Sequence, residues 1–339
     1  MVVSSRVTGK GRSRTGYSGT AVQRLPRWRV ALGFVAFIAA SASPSAAFYP
    51  VENQDYWLKN VGTAVVGSDE KGCHGQGIKF DGTRFYTTCM ETDGNNTAYL
   101  YVHDQNGNRI KQFKYDHTYE HPSGILLDNG WAYTGFTSES LDMKTRLYRF
   151  NGSGTVSYQG FFDHSVGFVG GIINTPTSLT SPIRTRYYSF EQYYERQCTP
   201  NDGTCGTFTD ITTVNNIDGE DGVQDCDLYF KNGRWYKACI LLSSTPNRIR
   251  VWNGSAIRLA PDNALANFTM DTQPGESGGF GFYQDPSGVM WIVTAPPPAT
   301  NRRFCDGCPF SGGDVCACTD KQNRQRVRFY KFSRFAWPG

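Results

Sequence analysis

Residues 73–92 read CHGQGIKFDGTRFYTTCMET. A glycine-rich strand runs into an Asp81-Gly82 turn, and an aromatic strand returns from it, which is a hairpin signal. The layout recurs in EHPSGILLDNGWAYTGFTSES at 120–140: a His, two residues, a Gly, a β-former, a turn carrying Gly, then an aromatic strand. Three more units follow the scheme: VGFVGGIINTPTSL at 166–179, DCDLYFKNGRWYKAC at 225–239 and GGFGFYQDPSGVMWIVTA at 278–295.

Behind each pair of strands lies an element that alternates polar and apolar residues, as a half-buried strand does. These elements are TAYLYVHDQNG (97–107), TRLYRFNGSG (145–154), RTRYYSFEQ (184–192), NRIRVWNGSA (247–256) and QRVRFYKFSR (325–334). RIKQFKY (109–115) and TVSYQGFF (155–162) fit a fourth strand. No window keeps a helical apolar stripe for three turns. Repeated four-stranded units of roughly 40–60 residues describe a β-propeller. We expect an all-β, five-bladed β-propeller of four-stranded blades. The last unit lacks a fourth strand, and DYWLKNVGTAVV (55–66) is placed to supply it and close the ring. The glycine-rich first strands would line the crowded axis. Phe85, Trp131, Trp235 and Trp291 fall at comparable points on the second strands and are expected to pack between blades.

The first 47 residues carry seven basic side chains, no acid, the apolar run VALGFVAFIAA and then small residues. That is a secretory signal peptide, with cleavage after Ala47 or Ala42. The expected organisation is a signal peptide over 1–47 and one propeller domain over 48–339. The apolar run is too short to span a bilayer, so no membrane span is expected and the protein should be secreted, extracellular or periplasmic. The whole chain has a net charge of +4, but residues 48–339 hold 27 basic and 30 acidic residues. A nucleic-acid partner, which needs clustered Lys and Arg, loses its support.

All ten cysteines follow the leader, as a disulfide-braced secreted fold would have them. Cys226 and Cys239 flank the Asn232-Gly233 turn symmetrically, and Cys73 and Cys89 flank Asp81-Gly82 nearly so. Cys198 and Cys205 would close a small loop. Cys305 with Cys318, and Cys308 with Cys316, would nest about SGGD; the rival arrangement for these four is a zinc knot. Sequons begin at Asn95, Asn151, Asn253 and Asn267 and make a glycoprotein if the secretory pathway is eukaryotic.

Residues 284–331, QDPSGVMWIVTA…NRQRVRFYKF, carry a Gly, an aromatic strand and Arg-Val-x-Phe; they resemble an NHL blade. HPSGILLDNGWAYT resembles the blade openings of such proteins, and the layout resembles secreted, NHL-like propellers. The resemblance implies the fold and no activity, since propellers host many functions.

Three of the five histidines stand at one place in their repeats: His74 in HGQGI, His121 in HPSGI and His164 in HSVGF. The fifth unit has Glu276 there, and the fourth offers Glu220, Asp221, Gln224 or Asp225. Each should precede an innermost strand and so meet the others at one mouth of the axial channel. Imidazole and carboxylate together suit a divalent transition metal with an open position. His74, His121, His164 and Glu276 are the candidate metal ligands; Asp221, as base, and Gln224 are the candidate catalytic residues. Without metal, a His beside a carboxylate can serve as acid and base on a sugar. Alternatively each His bonds a neighbouring blade. His103 and His117 should lie at the surface. The insert at 191–222, with Tyr193 and Tyr194, should be a disulfide-pinned loop or the wall of a carbohydrate groove. The expected function is a secreted carbohydrate-active enzyme, a polysaccharide lyase or glycoside hydrolase, acting on a carbohydrate or other extracellular ligand. The alternative is a non-catalytic lectin or surface-interaction propeller.

Overall fold

The computed structural model describes residues 47–62, 72–91, 97–115, 120–138, 144–163, 169–175, 184–189, 193–198, 210–214, 223–241, 248–254, 264–270, 278–298 and 319–339. Within these, 120–121, 137–138, 144–145, 159–163, 169–175, 184–189, 193–198, 210–214 and 223 are described by backbone alone.

The chain starts with β1 (Asp55–Leu58) and then builds a sheet from β2 (Cys73–Phe80), β3 (Arg84–Glu91), β4 (Ala98–Asp104) and β5 (Arg109–Lys114). The next sheet holds β6 (Glu120–Pro122), β7 (Leu126–Asp128), β8 (Trp131–Ser138), β9 (Lys144–Asn151) and β10 (Val156–Asp163). A third comprises β11 (Val169–Thr175), β12 (Arg184–Ser189), β13 (Tyr193–Cys198) and β14 (Asp210–Val214). A fourth comprises β15 (Val223–Lys231), β16 (Arg234–Leu241), β17 (Arg248–Asn253) and β18 (Ala266–Thr269). The last is β19 (Phe280–Gln284), β20 (Met290–Thr294) and β21 (Gln325–Lys331), with β1 added antiparallel at its outer edge. β1 thus supplies the missing strand and covers an edge that would otherwise be open.

The result is an all-β propeller of four-stranded blades. Four sheets are regular four-stranded blades, where five were expected; the remaining sheet counts five strands. Its innermost strand is broken. The break falls at Ser123, whose N still donates to Gly135 O at 2.8 Å but whose Oγ, in place of its carbonyl, accepts from Gly135 N at 2.8 Å. β7 then resumes pairing with β8. The third blade corrects a second expectation: part of 191–222 is not loop but β13 and β14. RTRYYS is accordingly the second strand of its blade, paired to β11.

The core lies between neighbouring sheets. Phe80, Phe85 and Tyr101 pack with Trp291, Val293 and Phe329 between the first and last blades. Tyr86, Leu100, Ile125 and Phe136 join the first two. A strand packed on both faces is buried throughout: all eight residues of β2 are. Gly279, at φ +124°, sits so close to the backbone of Gly77 and Ile78 that a Cβ would overlap it. This is the close axial approach expected of the first strands.

Two of the expected bridges are present, Cys226–Cys239 and Cys73–Cys89. Cys226 stands directly opposite Cys239, across a hairpin whose Asn232 and Gly233 both have positive φ; such turns match the twist of paired strands. The other expected bridges, the leader over 1–46 and His117 lie outside what is described. Among the described residues, no helix is long and apolar enough to cross a membrane.

His103 is buried, not superficial. Its Nε2 lies 2.9 Å from Lys59 O, and burial pushes the ring's pKa down to about 4. The neutral imidazole therefore donates to Lys59 and ties β4 to the segment after β1. Trp235 also departs from expectation: Phe85 and Trp291 are buried, whereas Trp235 is 41% exposed and stands beside Phe230.

Candidate functional site

The innermost strands run side by side around the channel, and their starts carry the candidate residues. His74 lies within β2, opposite Met90, rather than ahead of the strand. The reason is the long β2–β3 ladder, which continues past the Gly75–Gly77 irregularity to Cys73 and Glu91. His121 likewise lies within β6, and only its backbone is described. His164, Asp221 and Glu276 fall outside the described residues.

His74 and Gln224 do converge, through a residue that sequence inspection passed over. The bulge in β2 falls at Gln76, between two glycines, and re-aims its side chain toward β15. Gln224 Nε2 donates to Gln76 Oε1. Gln76 Nε2 lies 3.1 Å from both ring nitrogens of His74 and donates to whichever is unprotonated. All three side chains are 2% exposed. The chain Gln224–Gln76–His74 joins the first blade to the fourth, and each amide's orientation is set by the next group. The signal that could have found it is the Gly-Gln-Gly triplet: a long polar side chain between two glycines at a bulge.

One layer further along the channel lies a buried ionic group. Lys79, of β2, reaches across the last blade to β15, passing Gly281, whose missing Cβ leaves the space. Its Nζ donates to Cys226 O at 2.9 Å and to Phe280 O. It stands 3.5 Å from both Asp225 Oδ2 and Asp227 Oδ2. The two carboxylates also accept from the backbone of β19: Phe280 N reaches Asp225 at 3.1 Å, and Phe282 N reaches Asp227 at 2.9 Å. Three inner strands are thereby clasped about one ammonium.

Burial raises the Asp225 carboxyl to about 7, against the lowering pull of Lys79. A carboxyl raised in the folded state contributes stability that is whole below its unfolded value near 3.8 and is lost as pH rises toward 7. Asp225→Asn should remove this limb. The difference in urea midpoint between wild type and variant is expected to shift steadily from pH 4 to pH 7; a flat difference would show that Asp225 is ionised throughout.

No family model matches the chain, and no curated protein is similar to it. Solved structures with similar backbones include a xylan β-1,4-xylosidase from Bacillus halodurans, at 11% identity and a TM-score of 0.43, over 81% of this chain and 58% of the xylosidase. A GH43 protein from Bacillus licheniformis matches at 10% identity and a TM-score of 0.42, with the same coverage of 81% and 58%. A thermostable family-43 glycoside hydrolase matches at 10% identity and 0.45, over 83% of this chain and 99% of its own. The chain thus spans less than two thirds of the length of the first two. At these identities the functional argument rests on the residues of the chain itself.

Proposed function

We propose that this propeller is a secreted carbohydrate-active enzyme, a glycoside hydrolase or polysaccharide lyase, working at the axial mouth where the inner strands begin. The observation that carries the reading is the Gln224–Gln76–His74 chain. It is built of neutral amides and an imidazole, with no fixed cation that would hold a phosphate above it. It is closed to solvent, so it forms a fixed floor to the mouth. His164, Asp221 and Glu276, which precede β11, β15 and β19 in the sequence, are the candidate proton donors and acceptors to work with it. His74 is the group on the floor able to move a proton; Gln76 holds its tautomer and Gln224 holds Gln76. The disulfides Cys73–Cys89 and Cys226–Cys239 suit the oxidising compartment that secretion implies.

A divalent metal on His74, His121, His164 and Glu276 would need a lone pair of His74 that already accepts from Gln76. A base role would need the same lone pair, so either chemistry requires the Gln76 amide to turn away from His74, and experiment separates the two. Adding zinc or manganese back to chelated protein tests this directly, and restored turnover would reinstate the metal.

The purified protein is to be screened against neutral and uronate-containing polysaccharides. New reducing ends alone mark a hydrolase; ultraviolet-absorbing unsaturated uronates mark a lyase. His74→Ala is expected to cut turnover by roughly 10²–10⁴-fold, the usual share of a general acid or base. Gln224→Ala should cost about tenfold, the worth of one buried hydrogen bond. Turnover untouched by both variants would move the site elsewhere. One observation favours a lectin instead: Phe230 and Trp235 are exposed together at a hairpin tip. Glycan binding without turnover, lost in Trp235→Ala and kept in His74→Ala, would establish that reading.

A further inference from the structure

Residues 59–62 form a strap that leads the chain out of β1, in the last blade, toward β2, in the first. Its hydrogen bonds reach both sides of that seam. Toward the first blade, Lys59 N donates to Gly107 O at 2.7 Å, Gly62 N to the Tyr101 hydroxyl at 3.0 Å and Lys59 Nζ to Asn108 Oδ1 at 3.0 Å. Arg109 Nη1 donates back to Asn60 O at 2.8 Å. Toward the last blade, Val61 N donates to Asn323 O at 2.9 Å. His103 Nε2, 2.9 Å from Lys59 O, completes the set, and it belongs to a side chain that titrates near neutrality when free. We propose that this strap is an acid-released latch on the ring seam, with His103 as its trigger.

The surroundings of the ring make it a trigger. His103 is fully buried, and its Nδ1 is enclosed with no hydrogen-bond partner among the described residues. A neutral imidazole tolerates this, because Nδ1 then carries only a lone pair. Protonation would put a second N–H and a full charge where neither finds an acceptor, which is costly. Among the described residues, the charged and titratable groups facing the ring are Tyr101 and Asp104 on its own strand, Arg109 on β5 and Lys59 on the strap. β3 presents the apolar Phe85 opposite it. Arg109 opposes the proton and Asp104 favours it, but the Asp104 carboxylate is engaged by Asn106 N, Asn108 N and Asn108 Nδ2 in its own turn. Burial outweighs both, so the closed strap keeps the ring neutral down to about pH 4, against 6.5 for a free imidazole. The stability that closure draws from a neutral His103 is whole above 6.5 and is lost as pH falls toward 4. Lifting the strap lets the ring meet water and take its proton. The opening stays local, because the two blades also share the apolar core of Phe80, Phe85, Val293 and Phe329.

The test is native-state hydrogen exchange at pH 7 and pH 5, corrected for intrinsic rates, with the paired amides of β16 and β17 as internal reference. Relative to these, the Lys59, Val61 and Gly62 amides are expected to lose about twentyfold in protection, the change in opening constant for a group that titrates near 4 when closed and 6.5 when open. His103→Gln keeps an N–H for Lys59 O and cannot titrate, so its strap should be equally protected at both pH values. Should that variant not fold, the wild-type ring followed by nuclear magnetic resonance gives a second reading: His103 should titrate well below 6.5. The proposal is overturned if the strap amides keep their protection at pH 5, if His103→Gln loses it as wild type does, or if the ring titrates near 6.5 with the strap still protected. None of these readings depends on turnover at the axial mouth, so the latch and the enzyme are judged separately.

Discussion

Replacing Lys79 by Met is expected to lower the unfolding free energy by about 3–5 kcal/mol, the usual cost of removing one partner from a buried ion pair. The side chain is 4% exposed and faces Asp225, which is wholly buried, and Asp227. Met fills similar volume, so the loss is electrostatic rather than a cavity. Without the ammonium, Asp227 and, at high pH, Asp225 keep uncompensated charge, and the carbonyls of Cys226 and Phe280 lose a donor. Freed from the lowering pull of Lys79, Asp225 would hold its proton to still higher pH, so the defect should be worst at high pH and mildest near pH 5. Adding Asp225→Asn to Lys79→Met removes one of the stranded charges. The double variant should therefore be more stable than the sum of the two single changes. Urea unfolding followed by tryptophan fluorescence reads all four proteins. A Lys79→Met loss below about 1 kcal/mol would mean that the three inner strands are held by packing alone.

Trp337→Ala should be comparably severe, about 3–5 kcal/mol, as for other buried aromatic truncations. Trp337 is 4% exposed although it lies beyond the last strand, β21. Its ring stacks on Phe332 with centroids 4.5 Å apart, and it meets Phe268 at 4.9 Å, Tyr229 at 5.3 Å and Phe282 at 5.5 Å. Its Nε1 donates to Phe332 O at 2.6 Å, and its own carbonyl accepts from Lys231 at 2.7 Å. One residue thus joins β15 and β18 of the fourth blade to β19 of the last. Trp337→Phe keeps much of the ring contact and should cost less than half as much. If the Ala variant unfolds within about 1 kcal/mol of wild type, the contacts close up around the gap and the residue is no staple.

The hairpins were legible because their signals are local. Asn232-Gly233 forces a tight turn, and the symmetry of Cys226 and Cys239 about it fixes the register. The closing role of residues 55–58 was legible from simple counting: one blade lacked a strand and one strand lacked a blade. What escaped depends on long-range packing. Strands β13 and β14 hid in a segment full of Thr, Asp and Gly, whose composition reads as loop until neighbouring strands give it partners. His103 looked superficial because it falls on a later strand of its unit, yet β4 is covered on both faces. Lys79 sits in IKF between apolar neighbours, where a Lys ordinarily points outward; only the distant pair Asp225 and Asp227 turns it inward. Of the mouth residues, His74 was visible as a repeat position, and Gln224 as one of four options in the fourth unit. Gln76 was not, because a bulge, not a motif, aims it.

The seam between β1 and β21 has a kinetic consequence. The Asp55 side chain binds Arg326 and Arg328, partners 271 and 273 residues away. β21 follows β1 in the chain with every other strand between them, so an emerging chain carries an unmated strand while all the intervening blades are made. Contacts of such separation give a high contact order and slow folding. Until the seam is sewn, the last blade shows a bare edge to any other chain nearby. The most aggregation-prone moment in the life of this protein is therefore the interval just before its ring closes.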